Sequence, residues 1–137
     1  MGLPYQGFYS ASKYAIEGMS EALRMELKPF KINVIVIRPG DFFTNFTANR
    51  KPSRTSAPGG DYEAQFARTL AIIEKDEKKG LPPEYLARKI AKILEKKNPC
   101  QHYIIATLEQ KFAVLLKKIL PGSLFSKILS SHYGIKS

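Results

Sequence analysis

Tyr9-Ser10-Ala11-Ser12-Lys13 opens a helix near the start of a 137-residue chain and sets a phenol and an ammonium four residues apart. Residues at i and i+4 of a helix share a face, with Cβ atoms about 5–6 Å apart, so Lys13 can hold its charge beside the Tyr9 oxygen. An unperturbed phenol ionises at about 10, and each unit of lowering needs about 1.4 kcal/mol of preference for phenolate. A close cation in a poorly solvated site supplies much of that preference, which makes Tyr9 a candidate acid or base. The helix is predicted from about Tyr9 to Lys28, ending before Pro29. Ile16, Met19, Leu23 and Leu27 recur at helical intervals as one apolar stripe, and Ala11, Ala15, Gly18 and Ala22 form a second stripe of small residues. Ile32-Asn33-Val34-Ile35-Val36-Ile37 follows, almost continuously apolar and β-branched. That composition predicts a strand buried on both faces of a parallel sheet, closed by the turn Arg38-Pro39-Gly40.

A Tyr-x-x-x-Lys pair is common on solvated helix faces, so the argument rests on the longer order. Tyr9-Ser10-Ala11-Ser12-Lys13, Ala15, Leu23-Arg24, Glu26-Leu27, then Asn33-Val34, Val36-Ile37, Pro39-Gly40 and Thr44 resemble the short-chain dehydrogenase/reductase family over residues 7 to 44. The resemblance implies an α/β fold, the C-terminal part of a Rossmann-type doubly wound parallel sheet, with a helical substrate lid and amphipathic C-terminal helices. It implies an NAD(P)-dependent oxidoreductase acting on a carbonyl or alcohol. Tyr9 would exchange the proton, and Lys13 would lower its pKa and hydrogen-bond the nicotinamide ribose. Pro39, Gly40 and Thr44 would shape the loop at the nicotinamide end of NAD or NADP. The family's catalytic serine, expected roughly a dozen residues before the tyrosine, has no counterpart here, and no Gly-x-Gly-x-x-Gly turn of the kind that holds a pyrophosphate occurs in the sequence. Residues 1–137 are therefore expected to be one partial domain without its cofactor half, which leaves the preference between NAD and NADP unread.

The remaining residues agree with one α/β unit. Helices are predicted at Tyr62–Lys79 and Pro83–Lys97, and a second strand at His102–Ala106. Thr47 to Gly60, rich in Pro, Ser, Thr and Gly, is predicted to be a mobile loop. Phe42, Phe43, Phe46, Tyr62 and Phe66 can line a site for a bulky apolar substrate, or belong to an ordinary core. A two-stranded sheet is marginal alone, and an open strand edge invites pairing. The chain is accordingly expected to self-associate, and the resemblance points to a homo-oligomer through the Tyr9–Lys28 helix.

Composition narrows the partners. An apolar content of 44% is that of an ordinary globular chain. No run of apolar residues is long enough to span a bilayer, and no signal-peptide pattern opens the chain. Cys100 is the only cysteine, which excludes an internal disulfide and suits a reducing, cytoplasmic setting. His102 and His132 lack the spacing of a metal site, and Asn45-Phe46-Thr47 is a chance glycosylation triplet. The net charge of +10 is spread over helices as Arg88-Lys89, Lys92 and Lys96-Lys97, without a base-reading motif, so no nucleic-acid partner is expected. The tail places Phe112, Leu115, Leu116, Ile119, Leu124, Phe125, Ile128 and Leu129 beside Lys111, Lys117, Lys118 and Lys127. Such helices can cover a substrate pocket, the first reading, or meet another subunit, or lie on an anionic membrane surface over 111–129. The alternative to an enzyme is a non-enzymatic remnant or dimerisation module derived from the same family.

Overall fold

The computed structural model describes residues 1–46, 48–50 and 60–135. Most of the loop expected over Thr47–Gly60, including Thr47 of the glycosylation triplet, lies outside the described residues. Among the described residues, five α-helices and two strands follow in the order α1 (Gly7–Leu27), β1 (Val36–Pro39), α2 (Glu63–Lys78), α3 (Pro83–Leu94), β2 (His102–Ile105), α4 (Leu108–Ile119) and α5 (Gly122–His132). The strands pair in parallel, Val36 opposite His102 through Pro39 opposite Ile105. Such a connection needs a crossover, and α2 and α3 supply it. The architecture is that of part of a Rossmann-type α/β sheet.

The strand expected over Ile32–Ile37 begins only at Val36, and the end of α1 explains the delay. A 3₁₀ turn carries the helix through Pro29 to Phe30. Lys31 then takes the left-handed conformation, with φ of 59°. Its N–H donates to the Lys28 carbonyl, and the Ile32 N–H reaches back to Leu27, the paired bonds of a Schellman ending. Ile32 thus belongs to the helix cap and is 53% exposed. Nor is β1 buried on both faces, because Arg38 and Pro39 are exposed and β2 is its only neighbour among the described residues.

The buried apolar side chains are few: Ile73 of α2, Ile93 of α3, Ile105 and Ala106 at the end of β2, Phe125 of α5 and Tyr133 after it. Thr69 is wholly buried, and its hydroxyl donates to the Tyr133 carbonyl at 3.2 Å, tying α2 to the end of α5. The α1 stripe is uncovered, with Ile16, Met19 and Leu23 all exposed. What fixes α1 is polar. Glu17 accepts two hydrogen bonds from the Arg38 guanidinium of β1, at 2.7 and 2.6 Å, and lies 3.6 Å from His102 of β2. Arg38 chiefly, against a burial penalty, holds the Glu17 carboxyl below the ordinary carboxylate range.

Candidate active site

The first two turns of α1 carry Tyr9 and Lys13 on one face, both exposed. The Lys13 ammonium lies over the Tyr9 ring, 5.2 Å from its centroid, and makes no ion pair among the described residues. The Ser12 hydroxyl donates to the Tyr9 carbonyl at 2.7 Å, a bond within the helix. Phe46 approaches from the loop after β1, its ring centroid 6.3 Å from that of Tyr9 at a 55° tilt. Arg50 sits 5.8 Å over the Phe46 ring and is anchored on α2 by Glu77 at 2.6 Å and Glu74 at 3.6 Å. A continuous set of contacts therefore runs from Tyr9 through Phe46 and Arg50 to α2.

Tyr5 makes a second link, one that the sequence did not signal. It stands at a φ of 58°, costly for a bulky aromatic residue, and meets Phe66 edge-on at 5.5 Å and Tyr62 at 6.4 Å. Of the expected aromatic lining, Phe46 thus flanks Tyr9, whereas Tyr62 and Phe66 gather around Tyr5. Phe43 and Thr44 line an open hollow of about 380 Å³ with Ala48, Glu74, Glu77 and Lys78. Phe42 is half-buried and bridges to Leu81. The Thr44 hydroxyl accepts from the Phe46 N–H at 3.2 Å, shaping the turn that brings Phe46 back toward Tyr9.

Pro39 and Gly40 leave β1 beside β2, where the Gly40 N–H donates to the Ile105 carbonyl at 2.9 Å. A side chain at Gly40 would collide with the Gln110 amide and approach Ala106 Cβ to 2.7 Å. Gln110 occupies that space because it closes the N-terminal cap of α4. Its N–H donates to the Thr107 hydroxyl while its Oε1 accepts from the Thr107 N–H, the reciprocal capping box. The same Oε1 accepts from the Asp41 N–H at 3.4 Å, and Nε2 donates to Asp41 Oδ2 at 2.7 Å. One amide therefore fixes the β1 turn to the α4 cap. On the other side, the Leu81 N–H donates to the Asp41 carbonyl and the Phe43 N–H to the Leu81 carbonyl. Gly80 is required there, since a Cβ would lie 2.6 Å from the Asp41 backbone.

Burial, then the neighbouring Glu77 and Asp76 carboxylates, pushes the Asp41 carboxyl above its usual range, with the Gln110 bond opposing. Burial chiefly, with Asp76, Asp41 and Glu77 adding, pushes the Tyr133 phenol up to about 12. Among the described residues no cluster of His, Cys, Asp and Glu could hold a metal, and no helix is long and apolar enough to cross a membrane.

A family model described as short chain dehydrogenase matches residues 1–55. A 3-ketodihydrosphingosine reductase of Bacteroides thetaiotaomicron is 45% identical over 99% of this chain and 51% of its own length. An NADPH-dependent 3-dehydrocapnine reductase of Ornithobacterium rhinotracheale is 31% identical over 93% of the chain and 45% of its own length. A dehydrogenase/reductase SDR family member 7B of Xenopus laevis shares 28% identity over 96% of the chain. This chain spans about half the length, or less, of these relatives. The α/β crossover, with the Tyr9–Lys13 helix ahead of a Pro-Gly turn, is that of a partial Rossmann-type fold. The chain belongs to the short-chain dehydrogenase/reductase family.

Proposed function

We propose that residues 1–137 are the catalytic-helix and substrate half of a nicotinamide-dependent reductase for a ketone or alcohol on a bulky, apolar molecule. The observation that carries this is the exposed Tyr9–Lys13 pair with the Phe46 ring beside it. Tyr9 gives its phenolic proton to the substrate oxygen during reduction and takes one back during oxidation. Lys13 stabilises the phenolate and offers ammonium hydrogens to a ribose hydroxyl. A bound nicotinamide dinucleotide supplies or accepts hydride. The chain's residues fit the nicotinamide-ribose end of such a group: Lys13 has no carboxylate competitor among the described residues, and Gly40 keeps side-chain bulk out of the turn after β1. They offer no glycine-rich cradle for the pyrophosphate. Pro39, Gly40 and Thr44 form the wall at the nicotinamide end, and Phe42, Phe43 and Phe46 contribute an apolar lining.

The names of the two bacterial reductases support a ketone borne by a long-chain amine or lipid. The uncovered stripe of α1 suits a homo-oligomer contact through that helix. The remnant reading has less in its favour, because identity to a reductase extends over 99% of the chain. The test joins these residues to a cofactor-binding half from a family member and follows nicotinamide absorbance with a series of 3-ketones of rising chain length. Turnover that strengthens with chain length is expected; no turnover with any ketone or alcohol would refute the reading.

A further inference from the structure

Leu108, Phe112, Leu115 and Ile119 repeat along α4 at intervals of four, three and four, so they form one narrow stripe on the helix surface. All four point to solvent, with exposures of 84, 59, 49 and 68%. The opposite side of α4 is the one attached to the molecule. Gln110, about half a turn around the helix from the stripe, is bonded to Asp41, and Lys117 donates to the Tyr14 hydroxyl of α1 at 3.0 Å. Lys111 and Lys118 flank the stripe, both exposed, and neither makes an ion pair among the described residues. After Leu120 and Pro121, α5 repeats the arrangement on a smaller scale. Phe125 is buried, whereas Leu124 and Ile128 are 45 and 46% exposed beside an exposed Lys127.

From this arrangement we infer that α4, with the outer side of α5, is an interfacial docking surface for an anionic lipid bilayer. Charge complementarity selects the bilayer over a second copy of the chain. Stacking two copies through this stripe would bring Lys111 and Lys118 of both copies together on a chain already carrying +10, whereas an anionic surface attracts them while the apolar residues enter the headgroup boundary. The stripe is one helix wide and has lysine at its margin, the form of a helix that lies in the interface rather than spanning it. The inference does not depend on the reductase reading, because binding is measured without turnover.

The test is flotation of the full chain with vesicles of phosphatidylcholine alone and of phosphatidylcholine mixed with phosphatidylserine, at low and high salt. The chain is expected to float with the mixed vesicles and to be released by salt, as the lysine attraction is screened. Leu108→Ser with Ile119→Ser, and separately Lys111→Glu with Lys118→Glu, should each weaken partitioning at least about tenfold. These positions are exposed, and unchanged circular dichroism checks the fold. Equal binding to both vesicle types, or full binding by either double variant, overturns the inference. So does an absence of binding to the mixed vesicles, and if Leu108→Ser with Ile119→Ser then lowers the oligomeric mass in light scattering, the occupant is a second copy.

Discussion

Gly40→Ala tests how the turn after β1 is held. The new Cβ would meet the Gln110 amide and stand 2.7 Å from Ala106 Cβ and 2.9 Å from Gln110 Cδ, so the backbone shifts or Gln110 leaves. Overpacking of this kind costs about 1–3 kcal/mol. If the amide swings away, its bond to the Asp41 carboxylate is lost as well, worth about 1.5–3 kcal/mol for a charged partner. A total of about 2.5–6 kcal/mol follows, large against the stability of a small domain. Gln110→Ala alone loses the bonds without the collision. In that background Gly40→Ala meets only Ala106, so the two substitutions should be sub-additive by at least about 1 kcal/mol. Urea unfolding of the four members of the cycle, followed by circular dichroism, measures the coupling. Additivity within about 0.5 kcal/mol would refute the claim that Gln110 occupies the place of the Gly40 side chain.

Asp41→Asn should keep the bond from Gln110 and remove a charge that burial disfavours. Because the folded pKa is raised, the stabilising contribution of Asp41 is complete below the unfolded value and is lost as pH rises through the folded one. The variant should therefore gain stability over the parent from above the ordinary carboxylate range toward neutrality; a pH-independent difference in unfolding midpoint would contradict this. The 15.4 kDa chain should self-associate, with Met19 63% and Met25 71% exposed on α1; size exclusion with light scattering should report a dimer or larger, and Met19→Lys should lower that mass. A stable monomer at all concentrations would count against the α1 contact. Calorimetric titration of this chain with NADH or NADPH should give nothing tighter than about millimolar without a phosphate-binding turn, and micromolar binding would contradict that.

The parts of the fold written in local periodicity were legible. The helices expected at Tyr62–Lys79 and Pro83–Lys97 occur as Glu63–Lys78 and Pro83–Leu94. The second strand fell within one residue. The first strand was misjudged because Lys31 adopts a glycine-like conformation, which the composition of Ile32–Ile37 does not encode. The shared helix face of Tyr9 and Lys13 was legible from their spacing, whereas the approach of Phe46 to Tyr9 was not. Tyr5, Asp41 and Gln110 were missed because their partners are remote in sequence: Phe66 for Tyr5, and the β1 turn for Gln110. A signal for Gln110 did exist, since Thr107-x-x-Gln110 ahead of an apolar run is a capping-box pattern. Local order finds the cap, but not the loop it also holds.

The central claim is that Tyr9 moves the proton, and Tyr9→Phe tests it with the smallest change, removing only the hydroxyl. In the chain joined to a family cofactor-binding half, kcat for ketone reduction should fall by about 10²–10⁴, the range of general acid-base catalysis. The dissociation constant of the dinucleotide should hardly change. Near-normal kcat in that variant would contradict the account.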